Sequence, residues 1–306
     1  MKLAYYPGCT LKDKAVHLDE TTKASARELG IDLQELENWT CCGATYPLTE
    51  EKIANLVPQI RILRNVLQAG NSQVTTTCAF CYSTLKRANR AIAVDQVRRQ
   101  RINAFLRDDE PVRPYKEQIQ APADYEGEVA VLHLLEVFRD GLGWDKLAKA
   151  TQKRLNGLRV APYYGCKLLR PPKEVEFDDP ENPTIFEEFL AALGCEVIDF
   201  PFKTECCGSY LALSAPESAS RLSHLILTSA AKSGAEVLAL SCPLCYYNMD
   251  LRQRDISKSY PGFQHVPVMF FTQLLALALG LDEKILGLEL HYVDVRPLLR
   301  QRNLLQ

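Results

Sequence analysis

The feature that most constrains this chain is a pair of adjacent cysteines followed by glycine, which occurs twice, as Cys41-Cys42-Gly43 and Cys206-Cys207-Gly208. Neighbouring side chains on an extended chain point in opposite directions, so two adjacent cysteines can bind one object only where the backbone turns sharply. Glycine allows that turn and lets the backbone approach the bound object closely. Each doublet is therefore predicted to lie in a tight loop that binds something.

The doublets belong to a longer pattern that includes ten of the eleven cysteines. In both halves a single cysteine comes first, then the doublet, then a Cys-x-x-Cys pair. The first copy is Cys9, Cys41, Cys42, Cys78 and Cys81, and the second is Cys166, Cys206, Cys207, Cys242 and Cys245. The intervals before and after the doublet are 31 and 35 residues in the first copy, and 39 and 34 in the second. A repeat this long predicts two related domains with pseudo-twofold symmetry, over residues 1–150 and 151–306, rather than a solenoid.

Strand and helix patterns alternate along each half. Short apolar runs such as Leu3–Tyr6 and Gln73–Thr77 predict strands, and each ends just before a cysteine. Helical spacing is predicted over Leu18–Leu29, Thr49–Gln68 and about Tyr82 to Leu106. Such alternation is typical of an α/β fold with a parallel, Rossmann-like sheet flanked by helices. Sites in these folds form at the carboxyl ends of the strands, where the cysteines would lie.

Composition narrows the function classes. A net charge of −2 gives no reason to expect nucleic acid or an anionic membrane as the main partner. The start of the chain lacks the pattern of a signal peptide, and the longest apolar stretch, near Phe270–Leu281, is too short to cross a bilayer and predicts a core or interface helix. A cytoplasmic location is therefore expected, where many cysteines indicate metal or redox chemistry rather than disulfides.

Five thiols per half exceed the four that a zinc ion or a cubane cluster needs. Many soft thiolates confined to loops favour iron–sulfur chemistry over zinc. Dithiol chemistry of the thioredoxin type is a further alternative, because a Cys-x-x-Cys pair also occurs there.

The repeated pattern resembles the cysteine-rich CCG domain of HdrB, a subunit of heterodisulfide reductase, over nearly the whole chain. The likeness extends to Tyr163-Tyr164-Gly165-Cys166, to Cys242-Pro243-Leu244-Cys245 and to the stretch that starts at Gln273. The resemblance implies that each set of five cysteines binds a noncubane 4Fe–4S cluster. It also implies that a disulfide is cleaved reductively between the two clusters, or formed from thiols in reverse.

The resemblance implies further partners: a flavin-containing HdrA-like subunit, a small ferredoxin-like HdrC subunit, and a small or protein disulfide as substrate. No glycine-rich dinucleotide fingerprint is present, so electrons are expected to come from another subunit. The alternative is an iron–sulfur electron-transfer subunit of a succinate, lactate or glycerol-3-phosphate type oxidoreductase, without disulfide chemistry.

One position departs from the family. Members from methanogens carry a histidine after the cysteine that matches Cys166, and this chain has Lys167. Lys167 is the candidate catalytic residue, because a lysine could neutralise a developing thiolate or a substrate anion, or deliver a proton. A solvated loop lysine is the plain alternative.

Other candidate residues are expected to be structural. Cys195 and His133 are predicted to lie in the core, and His17, His224, His265 and His291 match no ligand spacing. The tyrosine pairs Tyr5-Tyr6 and Tyr163-Tyr164 are predicted to pack around the bound group and limit access of water.

Overall fold

The computed structural model describes residues 1–44, 53–108 and 124–305. Within these ranges the chain forms two four-stranded parallel sheets with helices packed against them. The strands are Lys2–Tyr5 (β1), Asp32–Glu35 (β2), Gln73–Thr76 (β3), Ala130–His133 (β4), Arg159–Pro162 (β5), Glu196–Val197 (β6), Val237–Leu240 (β7) and Val268–Phe270 (β8).

Helices connect the strands and cover the sheets. They are Val16–Glu28 (α1), Val57–Gln68 (α2), Ala79–Val94 (α3), Gln96–Asp108 (α4), Leu134–Glu136 (α5), Trp144–Ala150 (α6), Pro172–Val175 (α7), Ile185–Leu193 (α8), Pro216–Lys232 (α9), Pro243–Tyr246 (α10), Gln253–Ser259 (α11), Phe271–Ala278 (α12), Glu283–Leu286 (α13) and Arg296–Gln301 (α14). Two of them continue as π-helices, α5 over Val137–Leu142 and α10 over Tyr247–Leu251.

The two sheets have the same topology. The strand order is β2-β1-β3-β4 in the first and β6-β5-β7-β8 in the second, and every pair is parallel. The central strand β7 is buried along its whole length, as expected for a parallel sheet covered on both faces. The predicted α/β class with two similar halves is confirmed, while the boundary between residues 150 and 151 stays a prediction.

The chain reverses direction across the first sheet between β1 and β3, and across the second between β5 and β7. The carboxyl ends of parallel strands diverge at such a switch point and leave a crevice for a site. Cys9 follows β1 and Cys78 follows β3, and Cys166 and Cys242 occupy the matching places in the second half. The repeated topology therefore brings each cysteine set to one crevice.

The helix predicted from Tyr82 to Leu106 is two helices. Helix α3 ends at Val94, Asp95 is extended, and the Asp95 carboxylate accepts a hydrogen bond from the backbone N–H of Arg98 at 2.9 Å. Asp95 thus starts α4 with a side-chain cap, which a continuous apolar period does not show. Of the helix predicted over Thr49–Gln68, residues 49–52 lie outside the described residues, and the rest is a 3₁₀ segment, Ile53–Leu56, followed by α2. Most of the predicted linker at 108–125 lies outside them too.

The apolar stretch Phe270–Leu281 contains the end of a strand as well as a helix. β8 ends at Phe270, and α12 begins at Phe271 with every residue buried. The predicted core helix is confirmed, whereas β8 was missed, because a short apolar run before a helix shows no separate period.

The two halves pack together through α1 and α12. The hydroxyl groups of Thr21 and Thr272 lie 2.7 Å apart and are buried. On the same face, His17 packs against Phe270 and His291, with ring centroids 5.0 and 5.3 Å away. Residues of the first half thus complete the core of the second.

Burial of three histidines predicts a pH-dependent stability. Burial lowers the pKa of His17 from 6.5 to about 4, and lowers the pKa of His133 and of His291 to about 3. The unfolded chain binds these protons near pH 6.5 and the folded chain does not, so stability is present above pH 6.5 and is lost as pH falls towards 4. Each histidine should contribute a slope of about 1.4 kcal/mol per pH unit in that window. Urea unfolding of the apo protein between pH 7 and pH 4.5 measures it.

His17→Phe is the matched variant, because it keeps a ring in the cluster and should remove one histidine's share of the slope. The comparison is needed because burial raises the pKa of Asp250 to about 6, and this carboxyl group has the opposite pH dependence. An unchanged slope in His17→Phe would contradict the assignment.

Candidate metal centre

In the first half the sulfur atoms lie in close pairs. Cys9 Sγ is 3.6 Å from Cys41 Sγ, and Cys42 Sγ is 3.5 Å from Cys81 Sγ. Side-chain interactions of Cys42 with Cys41, and of Cys78 with Cys81, connect these pairs, so all five thiols belong to one group. Cys9 and Cys41 are exposed, whereas Cys42, Cys78 and Cys81 are buried. The group therefore extends from the core to the surface.

The second half repeats this arrangement. Cys166 Sγ is 3.8 Å from Cys206 Sγ, and Cys207 Sγ is 3.4 Å from Cys245 Sγ. Cys242 and Cys245 interact as the first Cys-x-x-Cys pair does. The structure thus brings together all ten cysteines that the sequence singled out, in two groups of five. Their assignment as ligands stays a proposal.

The doublets turn as their sequence predicts. Gly43 and Gly208 have φ values of +68° and +76°, in the left-handed region that glycine adopts freely. The turn aims the backbone N–H of each glycine at the first sulfur of its doublet, at 3.5 Å for Cys41 and 3.3 Å for Cys206. A donor in this position stabilises a thiolate.

One tyrosine in each half holds the doublet loop in place. Tyr6 Oη donates to the carbonyl oxygen of Thr40 at 2.8 Å, and Tyr163 Oη donates to that of Glu205 at 2.7 Å. Both carbonyl groups immediately precede a doublet, and both rings are buried. Tyr6 and Tyr163 therefore pack beside the sites as expected, with a positioning hydrogen bond that the sequence did not indicate. The other member of each pair is directed elsewhere, because Tyr5 donates to Asp19 and Tyr164 donates to Glu187.

Removing either hydroxyl group should loosen its loop. Tyr6→Phe and Tyr163→Phe each leave a carbonyl group without its partner, at a cost of about 1 kcal/mol in the free energy of unfolding. Urea unfolding of the apo variants measures this cost, and the exposed Tyr292→Phe is the control with no expected change. Equal stability of all three variants would contradict the role.

The paired thiols share protons. The hydrogen bond between Cys166 and Cys206 lowers the pKa of Cys206 and raises that of Cys166. In the first half, the hydrogen bond with Cys42 raises the pKa of Cys81. A metal ion that replaces such a proton binds both sulfurs as thiolates.

The residues present fit a thiolate-bound metal cluster. Two thiolates on one tetrahedral metal, with metal–sulfur bonds of about 2.3 Å, lie about 3.8 Å apart, close to the spacing of the pairs. Within residues 1–44, 53–108 and 124–305, no three histidine, cysteine or acidic side chains are arranged around a single-ion position. Each donor set consists of two close thiol pairs and a fifth cysteine, which is more thiolates than one tetrahedral ion binds and suits a cluster with several metal atoms.

The two thiol groups border one region, the junction, where Lys167, Phe80 and Tyr210 meet. Lys167 Nζ lies 5.2 Å from the ring centre of Phe80, which is between Cys78 and Cys81 in the first turn of α3, and 5.0 Å from that of Tyr210, just after the second doublet. Tyr210 Oη donates to the carbonyl oxygen of Ala44 at 3.0 Å and so joins the two doublet loops. Burial lowers the pKa of Lys167, while the charges of Cys166 and Cys206 oppose that shift. Lys167 is half-buried beside the second thiol group, so it is not a freely solvated loop lysine.

Of the two residues expected in the core, His133 lies there, whereas Cys195 is partly buried against it. His133 is buried, and its Nδ1 accepts a hydrogen bond from the backbone N–H of Leu135 at the start of α5. Cys195 packs against the core, away from the ten paired thiols, and burial raises the pKa of its thiol to about 12.

Sequence reasoning missed two amide side chains. Gln59 Nε2 donates to the carbonyl oxygen of Cys42 at 2.6 Å, and Asn248 Nδ2 donates to that of Cys207 at 3.0 Å. Asn248 follows Cys245 by three residues, so helical periodicity could have placed it on the same face. Gln59 lies in α2, 17 residues after Cys42, and no local sequence pattern indicates its contact with the doublet.

The fold and the paired thiols define a class of duplicated cysteine-rich α/β proteins. The model of the family described as CCG, cysteine-rich domain, matches residues 3–86 and 160–250, which contain all ten paired cysteines. The chain therefore belongs to the CCG cysteine-rich domain family.

Relatives over the full length are subunits of reductases. The chain is 35% identical to the 8-methylmenaquinol:fumarate reductase membrane anchor subunit of Wolinella succinogenes, over 97% of this chain and 99% of that protein. It is 27% identical to the B-type subunit of the ferredoxin:CoB-CoM heterodisulfide reductase of Methanosarcina mazei, over 96% and 94%. These relatives support an oxidoreductase subunit of a multisubunit complex, and the cysteine-rich domain supports iron–sulfur clusters.

A solved structure shares the fold. The crystal structure of a hypothetical protein from Helicobacter pylori superposes with a TM-score of 0.73 at 15% identity, over 95% of this chain and 51% of that one. No helix in the described part of the chain is both long and apolar enough to span a membrane.

Proposed function

We propose that this protein is the disulfide-reducing subunit of a multisubunit, heterodisulfide reductase-like complex, and that each set of five cysteines binds one noncubane 4Fe–4S cluster. The observation that carries the proposal is the pair of complete five-thiol groups on either side of one junction. A single electron relay needs one such group, whereas cleavage of a disulfide needs two electrons. The cluster in each group would supply one-electron chemistry at thiolate-bound iron.

The reaction balances across the junction. A disulfide accepts two electrons and two protons, its S–S bond breaks, and two thiols form. Lys167 places a positive charge where one of the new thiolates develops, and its ammonium group can donate a proton to that sulfur. Phe80 and Tyr210 pack against the ammonium group and restrict water around it.

The electrons come from partner proteins in this proposal, through a ferredoxin-like HdrC subunit that connects to a flavin-containing HdrA-like subunit. The substrate is a small thiol or disulfide, or a protein disulfide. The cytoplasmic location stays a prediction, because one relative is named as a membrane anchor subunit.

The identity values favour a second candidate. The relative at 35% identity is named for a reaction between a quinol and fumarate, and the disulfide reductase relatives match at 27% or less. In that candidate the two clusters exchange electrons with a quinol or with a partner subunit, and no disulfide is cleaved.

Electron paramagnetic resonance on anaerobically purified protein distinguishes the two candidates. Iron and acid-labile sulfide are counted first, and about eight irons per chain are expected for two four-iron sites. Thiols are then added to the oxidised protein. A new paramagnetic signal that depends on the thiol supports disulfide chemistry, whereas eight irons with no response to any thiol favour the second candidate. Zinc without iron would contradict both.

A further inference from the structure

The two thiol groups differ in the donors around their doublets. In both halves an amide donates to the carbonyl oxygen of the second doublet cysteine, Gln59 to Cys42 and Asn248 to Cys207. In the second half this amide also lies within reach of the sulfur, with Asn248 Nδ2 3.7 Å from Cys207 Sγ. The position that matches Asn248 in the first half is Thr84.

Thr84 directs its hydroxyl group elsewhere. Its Oγ1 donates to the carbonyl oxygen of Phe80 at 2.7 Å, within the same helix. Both residues follow the last cysteine of a Cys-x-x-Cys pair by three positions. Asn248 and Thr84 therefore mark a real difference between the two sites, because they occupy equivalent places in the repeated fold.

A second difference follows the doublet glycine. Ser209 occupies this position in the second half, and Ala44 occupies it in the first. The backbone N–H of Ser209 donates to Cys206, and that of Ala44 donates to Cys42 in the first half, so the two residues differ in the side chain alone. Ser209 is only 9% exposed, and its Oγ is buried with no hydrogen-bond partner among the described residues. This side chain is thus a buried hydroxyl group two residues after the second doublet, with no other group in the described part of the chain to which it donates, and the first half has a methyl group at the matching position.

The residue after the first cysteine is the third difference. Lys167 follows Cys166, and its Nζ lies 5.0 Å from the ring centre of Tyr210, which comes three residues after Cys207. The matching residue in the first half is Thr10, whose Oγ1 lies 3.9 Å from Cys9 Sγ. All three differences therefore change the second group in one direction, towards more positive surroundings.

We infer that the second thiol group, built on Cys166, Cys206, Cys207, Cys242 and Cys245, holds the more easily reduced of the two redox sites. The inference rests on the proposed binding of one iron–sulfur cluster by each group. Reduction adds negative charge to the sulfur atoms, and hydrogen bonds and nearby cations stabilise that charge and raise the reduction potential. In the second half, the additional donors are Asn248 and Ser209, and the nearby cation is Lys167.

Solvent exposure acts in the other direction. Cys9 and Cys41 are exposed, while Cys166 and Cys206 are only partly so, and water stabilises added charge. The other three cysteines of each group are buried in both halves. Fixed donors and a cation in a poorly solvated site act more strongly than mobile water at the rim, because their charge is less screened. The second site, which has the additional donors and the cation, should therefore have the higher reduction potential.

The order has a consequence for electron distribution. An electron delivered by an electron-carrying partner protein should reside mostly on the second site, and the first site should accept the next one. The half-reduced protein is then oxidised at the first group and reduced at the second, with one electron accounted for.

The test is a redox titration of the purified, cluster-loaded protein, followed by electron paramagnetic resonance. Cys78→Ser and Cys242→Ser each disable one group, which assigns each potential to its half. We expect the second half to have the higher potential. The double variant Ser209→Ala with Asn248→Thr should shift the one-electron equilibrium of that half about tenfold, which equals about 59 mV, towards the oxidised state. The potential of the first half should not change.

Two further variants sharpen the test. Gln59→Thr removes the equivalent amide from the Cys42 carbonyl group without removing a donor to sulfur, so it should leave both potentials unchanged. Ala44→Ser adds a hydroxyl group to the first half and should raise that potential. Ser209→Ala alone is the smallest change, and it decides the matter if the double variant does not fold.

Equal potentials in the wild-type protein, a higher potential in the first half, or no shift in Ser209→Ala and the double variant would overturn the inference. Absence of iron would instead contradict the proposed function, and the inference would fall with it. The two failures are distinguishable, because iron is counted before the titration.

Discussion

Cys78→Ser should lower the iron content of the purified protein by about half and remove nearly all of its proposed disulfide-reducing activity. Cys78 is buried beside Cys81 at the start of α3, so its loss disrupts the first group while the second group stays intact. About four of about eight irons should remain. Turnover should fall at least ~100-fold, because one remaining site cannot deliver both electrons. Iron and sulfide counts, followed by a steady-state assay with a disulfide substrate, measure both effects.

Cys242→Ser provides the mirror experiment, since it affects the matching position of the second half. Cys195→Ser is the control, because its thiol lies outside both groups and should leave iron content and activity unchanged. Loss of all iron in either single variant would contradict two independent sites. Full activity with half the iron would contradict cleavage by two sites acting together and would favour the relay.

Lys167→Met should lower kcat/KM for a disulfide about 100-fold while the iron content stays near that of the wild type. Methionine keeps much of the apolar contact with Phe80 and Tyr210 but removes the charge that, in the proposed function, would face a developing thiolate. The loss should appear mainly in kcat, because the thiolate forms only as the S–S bond breaks. Steady-state kinetics on the cluster-loaded protein measure it.

Two other lysine variants serve as controls for this result. Lys167→Arg keeps the charge and should retain more activity than Lys167→Met, although its broader head group fits the ring contacts less well. Lys173→Met removes a charge from an exposed position on α7 and should change nothing. If Lys167→Met affected KM alone, Lys167 would bind an anionic part of the substrate instead of stabilising the thiolate.

Much of the fold could be predicted, because the cysteines mark strand ends and the repeat supplies each element twice. The boundaries that could not be predicted are places where local effects compete with the apolar pattern. At Asp95 a side-chain cap divides one apolar period into α3 and α4. At Phe270 the chain changes from β8 to α12 without a polar residue between them, so hydrophobicity alone could not separate them.

The composition of each thiol group could be predicted as well, since spacing and the doublet turn select the same ten residues. The residues that surround each thiol group could not be predicted from the sequence. Gln59 reaches the first doublet from α2, and Tyr210 crosses to the loop of the other half, so both contacts depend on tertiary packing. Symmetry of the sequence also concealed the unequal donors at Ser209 and Asn248, because neither residue is unusual by type.

The hydrogen bond from Tyr210 to the Ala44 carbonyl group has a consequence for assembly. A protein with two separate redox modules on a hinge would depend on its partners to set the gap between them. Here the gap is set within the chain, because one side chain fixes the two doublet loops to each other and the packing of α1 against α12 supports them from behind. In the proposed function, the spacing across which a substrate would fit is thus set within a single chain, and a partner protein would supply electrons without having to align the two thiol groups.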